Sequence, residues 1–320
     1  MSENNTDRRS RNLLDSLFKE VRAFRHAKEV RDLFAYCIKM RHLSAYNAAL
    51  VYTQQPGTQL VLSGTQWYNE KRLVKPNSRP LIILLPFGPV GFVYDISDTM
   101  PVHNTDSEKA RQILIDRYIN NPFLTRHNDL FEYEDKISML KSNLSVHGIA
   151  YEYMVAGGSM AANIRPYQDA TIPISLGRFG YMNYHSYYWV GINRNLDNAE
   201  QIAGLCHELG HLFCHHIKAP IDWYTHRPIK PVSEEFEAES TAYLVCKRLG
   251  IETRSVEYLA GYKDDDEIPP VSFENIFRAV NVIEAMLIRP LTYKYGYLYK
   301  YDKTFKQLAD DIVKQAKQRR

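Results

Sequence analysis

The sequence predicts an α+β protein in two parts. A small N-terminal α/β part carries a short sheet, and a mainly helical part with a small sheet of its own follows. Three observations support this. A chain of 320 residues is long enough for two domains. An apolar run at Leu81–Leu85 is followed by residues 91–96, a second strand-like stretch, with the turn residues 86–89 between them. Further on, Ile202, Leu205, Leu209 and Leu212 recur at helical spacing, and residues 233–249, 272–288 and 304–317 also read as helices. Hydrophobic residues make up 45% and charged residues 24%, so each part can bury a core.

Taken in order, residues 1–11 are polar and charged and read as disordered, with no apolar segment of the kind a secretion signal needs. Residues 13–49 read as helical, with Leu14, Phe18, Val21 and Phe24 and then Val30, Leu33, Phe34 and Cys37 as a buried stripe. Ten Lys/Arg against six Asp/Glu in residues 1–43 fit a solvated helix face. A turn is expected at Gln54-Gln55-Pro56-Gly57. Trp67 and Tyr68 precede Lys71, Arg72, Lys75 and Arg79, opposed only by Glu70. Aromatics interleaved with cations on a small sheet can stack bases and hold phosphates, which makes Trp67, Tyr68, Lys71, Arg72 and Lys75 a candidate nucleic-acid surface. The alternative is that the Trp and Tyr fill a core.

Residues 101–105 form a polar connection. The expected boundaries are 12–105 for the first domain, 106–128 for a linker with a helix, and 129–320 for the second domain with its C-terminal helices. Residues 107–119 and 132–140 read as helices, 146–154 as a strand, 157–180 as a long loop and 184–192 as a strand. If that last strand lies at a sheet edge, its free backbone groups can align an extended peptide. Residues 218–231 read as a Pro-rich loop, 255–262 as a short helix and 263–270 as an acidic loop.

Several classes are set aside. A net charge of +3 with pI near 8.5 is weakly basic and does not by itself argue for nucleic acid. No apolar run reaches the roughly 18 residues of a membrane span. Cys37, Cys206, Cys214 and Cys246 form no C-x-x-C pair and are expected as reduced thiols in a cytoplasmic protein, where the Asn143-Leu144-Ser145 sequon has no meaning.

The chemistry concentrates in Cys206-His207-Glu208-Leu209-Gly210-His211, an H-E-x-x-H string. Residues four apart on a helix share a face, so His207 and His211 can bind one metal ion while Glu208 reaches a water at that metal. Asp197 with Glu200 three residues on is a capping-box start for this helix. Zinc hydrolases use three protein ligands and keep one position open. The third is sought in residues 233–249, where Glu235, Ala238, Glu239 and Ala242 share a stripe. Ala238 and Ala242 are small enough for a second helix to approach closely. Glu235 is the expected third ligand, and Glu239 the acid that takes an N–H from a zinc-bound histidine. Glu237, about 160° round the helix, is the backup.

His207-Glu208-x-x-His211 followed by Glu235-x-x-Ala238-Glu239 resembles the gluzincin metallopeptidases, the thermolysin and neprilysin group. In that family the first acid of E-x-x-A-[DE] binds zinc and the second supports a histidine. The fuller strings, residues 203–216 and 235–244, resemble the compact ImmA/IrrE group. Upstream, Tyr46-Asn47, Ser63-Gly64-Thr65-x-Trp67, Val74-Lys75-Pro76 and Val93-Tyr94-Asp95-Ile96-Ser97 resemble the single-stranded-DNA-binding domain of ArdC-type antirestriction proteins. One departure is Pro76-Asn77, where that family has Lys-Gly in a turn.

Together these imply an ArdC-like domain, then a zincin-like domain holding Zn2+ and cleaving a protein or peptide substrate. Glu208 would be the general base and His226 the first candidate to stabilise the oxyanion, ahead of Tyr224, Tyr243 and His185. An N-terminal module could carry the peptidase to DNA or to a DNA-bound regulator. Rival readings are a single-stranded-DNA-binding protein whose zinc domain is structural or inactive, a closed Cys/His zinc site around Cys206, Cys214, His215 and His216, and a hydrolase of non-peptide amides.

Overall fold

In a computed structural model, the described residues are 26–85, 88–102, 107–119, 130–158, 160–219, 223, 225–251 and 261–318. Outside them lie the expected N-terminal disorder and first helical turns, the later part of the 106–128 connection, most of the short helix expected at 255–262, and Tyr224. The architecture is α+β, with several small separate sheets among the described residues. The chain divides into two compact units, Met1–His127 with Glu257–Phe277 and Asn128–Val256 with Arg278–Arg320.

In the first unit, α1 (Ala27–Lys39) buries Val30, Leu33, Phe34 and Cys37, the apolar stripe of its sequence. Phe34 meets the rings of Phe273 and Phe277 edge-on. Ser44 caps α2 (Ala45–Gln54), its hydroxyl accepting from the Asn47 amide. Next come β1 (Val61–Leu62), α3 (Gly64–Asn69) and β2 (Arg72–Val74). Then β3 (Leu81–Leu85) and β4 (Gly88–Asp95) pair antiparallel as the sequence suggests, in a sheet of order β1-β4-β3. β5 (Thr99–Pro101) pairs with β2, and α4 (Glu108–Ile119) follows.

An edge strand leaves a row of unpaired backbone groups. Here α2 answers the β3 edge with two amide side chains that lie two helical turns apart, on one face. Asn47 donates to the Leu84 carbonyl (3.0 Å) and accepts from the Leu84 amide (2.9 Å), and Gln54 does the same at Ile82 (2.9 and 2.8 Å). Asn47, part of the ArdC-type resemblance, is therefore committed to the fold. So is Asp95. It is buried, and its carboxylate accepts from the amides of Gln59, Leu60 and Ser97 and from the Ser97 hydroxyl. Asp95→Ala strands two strand-entry amides, so we expect a loss of about 2–3 kcal/mol. Urea titration checks this, and an unchanged midpoint contradicts it.

Asn77 adopts φ +64°, a left-handed position that glycine favours and asparagine tolerates, so the Pro76-Asn77 departure is compatible with a tight turn.

The second unit begins with α5 (Leu130–Leu144) and β6 (Ile149–Met154). Residues 157–180, expected as loop, contain β7 (Ala162–Pro166) and β8 (Thr171–Ser175). The expected strand at 184–192 is two strands, β9 (Tyr181–His185) and β10 (Tyr188–Asn193), in different sheets. The chain breaks between them because the Ser186 amide turns to the Ala170 carbonyl and the Tyr187 amide to the Gly148 carbonyl. β10 is central, parallel to β6 and antiparallel to β7, so β7 and not β10 is the edge nearest the following helix. Then come α6 (Asn198–Phe213), α7 (Pro231–Arg248), α8 (Phe273–Ile288), α9 (Tyr297–Tyr301) and α10 (Lys303–Gln318). The first five residues of α8 count with the first unit. Among the described residues no helix is long and apolar enough to cross a membrane.

Candidate metal centre

The centre is built on the contact of α6 with α7. α6 opens with a true capping box: Asp197 accepts from the Glu200 amide (2.8 Å), and Glu200 accepts from the Asp197 amide (3.3 Å). Ile202, Leu205, Leu209 and Leu212 are fully buried and fix the helix's rotation. α7 begins with Pro231 in its first turn, where a missing N–H costs nothing, and buries Ala238 and Ala242 completely. A Cβ on Gly210 would lie only 3.0 Å from the Ala238 Cα, so the two backbones meet closely because residue 210 is bare.

At that separation the faces carrying residues 207 and 211 and residues 235 and 239 confront each other. His207 Nε2 lies 3.1 Å from His211 Nε2 and 3.6 Å from Glu235 Oε2, and His211 Nε2 lies 3.6 Å from Glu235 Oε1, so the carboxylate faces both imidazoles. A tetrahedral zinc with ligands about 2.0–2.1 Å away holds its ligand atoms about 3.3 Å apart, so these three donors fit one ion. His207 Nδ1 faces Glu239 Oε1 at 3.3 Å, the contact that orients a ligating imidazole with Nε2 towards a metal. The Glu235 side chain is half exposed, so the centre is open to solvent on that side.

Glu208 accepts from the Ile164 amide of β7 at 3.1 Å. Burial raises its carboxyl to about 6, against the opposing effects of His207 and that hydrogen bond. Burial disfavours the charged form of His207, but Glu239, Glu208 and Glu235 outweigh it and raise its pKa. Burial, helped by His207 and His216, lowers His211 to about 3. A neutral His211 is the form that ligates.

A second group lies behind the first. Cys214, His216 and Glu237 are buried and bring ligand atoms within 4.8 Å of one another. Glu237, the backup ligand, is not at the histidine pair. Its carboxylate is fully buried, clamped by Arg227 at 2.7 and 3.0 Å and by His216 at 2.9 Å. His215 takes φ +69° immediately after the helix. Holding a non-glycine residue there costs roughly 1–2 kcal/mol. Neither Arg227 nor a role for Glu237 with His216 was signalled by spacing, because the turn that joins them is set by a histidine and not by a glycine.

Residues 172–249 match the Peptidase_M78 family, the IrrE N-terminal-like domain. The matched stretch is well under half of the chain. Among curated proteins and among solved structures, nothing matches. The IrrE-like segment contains His207, Glu208, His211, Glu235 and Glu239, but not Ile164, which binds Glu208 from outside it. It does not reach the residues behind the ArdC-type resemblance.

Of the oxyanion candidates within the IrrE-like segment, His226 is exposed and its Nε2 meets the His216 carbonyl at 3.0 Å. Tyr243 is half-buried, which raises its pKa, and His185 is exposed and stacked on Tyr184. Cys206 is a small buried residue, and all four cysteines are free thiols.

Two residues expected on the upstream nucleic-acid surface, Trp67 and Arg72, lie in the core instead. Trp67 is fully buried with Leu60, Leu62, Ile96, Leu114 and Ile115, and its indole N–H donates to the Tyr94 carbonyl. Arg72 is buried too, bonded to the Thr99 hydroxyl and carbonyl, and Lys75 donates to the Ser97 carbonyl. Trp67 cannot stack a base, nor Arg72 reach a phosphate, without the core opening. Of the five residues, Tyr68, Lys71 and Lys75 remain exposed.

Proposed function

We propose that the second unit is a zinc-dependent peptidase that hydrolyses peptide bonds with Glu208 as general base. One observation carries this reading: three donors of the right types, from two helices, lie at the mutual spacing of zinc ligands with a carboxylate beside them. The IrrE-like match over the same residues supports it. His207, His211 and Glu235 would hold the ion. Bound zinc would supply a Lewis acid for the scissile carbonyl and a water acidified towards pH 7.

Glu208, its carboxyl raised by burial, takes the proton of the attacking water and passes it to the leaving amine. Glu239 keeps His207 oriented. The substrate would run along β7. This edge strand already offers the Ile164 amide towards Glu208, and residue 164's carbonyl leaves the strand on the same side. A peptide can bind there by adding a strand, which favours peptides over other amides.

The test is metal content. Wild type is expected to hold one zinc per chain, His211→Ala to hold none, and Glu235→Ala to bind at least about 100-fold more weakly. Elemental analysis and chelator competition check this. A metal-free wild type, or a fully loaded His211→Ala, would sink the reading.

A further inference from the structure

We propose that His216 is a positioning residue that fixes the tautomer of His211, and that Arg227 and Glu237 fix His216 in turn. The proposal rests on the peptidase reading above.

The backbone delivers His216 to its place. α6 ends in a Schellman turn in which the His215 amide bonds the Leu212 carbonyl (3.1 Å) and the His216 amide bonds the His211 carbonyl (2.9 Å). With His215 left-handed, the chain doubles back and sets the His216 ring against the His211 ring, Nδ1 to Nδ1 at 3.0 Å. The Arg227 backbone and side chain then tie the turn down, bonding the His215 and Cys214 carbonyls.

The protons follow from one fixed charge. Arg227 is a permanent cation and donates to both oxygens of Glu237, which is therefore an acceptor only. His216 Nε2, 2.9 Å from the same carboxylate, must carry a proton and donate. With its proton on Nε2, His216 can accept at Nδ1. The 3.0 Å contact then sets His211 Nδ1 where it can donate, with the His211 lone pair on Nε2. That is the atom 3.1 Å from His207 Nε2 and 3.6 Å from Glu235. His207 has the same arrangement in shorter form, through Glu239 alone.

The same residues invite a competing reading, a second metal in the Cys214, His216 and Glu237 group. The charges oppose it. A divalent cation there would face the Arg227 guanidinium across Glu237, and both nitrogens of His216 are already bonded.

The experiment is zinc affinity by chelator competition, with metal stoichiometry and the melting temperature of the metal-free protein alongside. His216→Ala is expected to bind zinc about 10–100-fold more weakly. His216→Phe keeps the ring's bulk and is expected to lose affinity equally, which covers the case in which His216→Ala does not fold. His216→Gln is expected to recover affinity to within a few-fold of wild type, since its amide oxygen can accept from His211 and its amide N–H2 can donate to Glu237. A merely structural role would shift melting without this recovery. Wild-type affinity in His216→Phe, or no recovery in His216→Gln, overturns the proposal. Two zinc ions in wild type, one lost in Cys214→Ala, overturns it in favour of the second metal. A wild type that holds no zinc removes the peptidase reading, and this inference with it.

Discussion

Glu208→Gln is expected to keep its zinc and lose about 10²–10⁴-fold in peptide hydrolysis, the usual worth of a positioned general base. Glutamine matches the shape of glutamate, and its amide oxygen can still accept from the Ile164 amide now bound at 3.1 Å. Nothing in the change touches His207, His211 or Glu235, so the two imidazoles and the carboxylate facing them keep their places and metal content is expected to be unchanged. What disappears is the capacity to take a proton. The expected loss corresponds to about 3–5 kcal/mol of barrier. Initial rates on a quenched fluorogenic peptide library, at equal zinc content, measure it. Wild-type rates in a zinc-loaded Glu208→Gln would exclude Glu208 as the base and send the search to another group near the ion.

The parts legible in the sequence are those governed by local periodicity. His207 and His211 share a face because they are four apart on a helix whose cap, Asp197 with Glu200, is written in the chain. The Leu81–Leu85 strand and its antiparallel partner follow from apolar runs around a turn. What could not be read depends on contacts between distant segments.

Trp67, Tyr68, Lys71, Arg72 and Lys75 look alike as letters whether they face solvent or core. Only the packing of α3 on β4 and α4 buries Trp67, and only the β2–β5 ladder brings Arg72 to Thr99. β7 escaped because Ala162–Pro166 is only five residues long and ends in proline, and its strand state comes from pairing with β10. Glu237 read from spacing only as a backup ligand on the far side of its helix. Its clamp by Arg227 depends on a loop returning from α6, and that return depends on a left-handed His215 that no residue-type rule would flag.

Acid is expected to destabilise the second unit through a group far from this chemistry in sequence. His147 is buried, its two ring nitrogens have no hydrogen-bond partner, and the rings of Phe213 and Tyr297 lie against it. Burial alone lowers it from 6.5 to about 3. The unfolded chain therefore binds a proton at His147 that the folded chain refuses, throughout the range between those two values. Stability is full above pH 6.5 and falls as pH drops towards 3, by as much as about 5 kcal/mol. His147→Leu removes that proton. At neutral pH it also removes two unsatisfied polar atoms, so the variant is expected to be at least as stable as wild type. Between pH 7.5 and pH 4, metal-free wild type should lose about 3 kcal/mol more than metal-free His147→Leu in urea titrations. Parallel losses in the two proteins would mean that the imidazole finds a partner or water on protonation, and that its burial is not what limits the fold in acid.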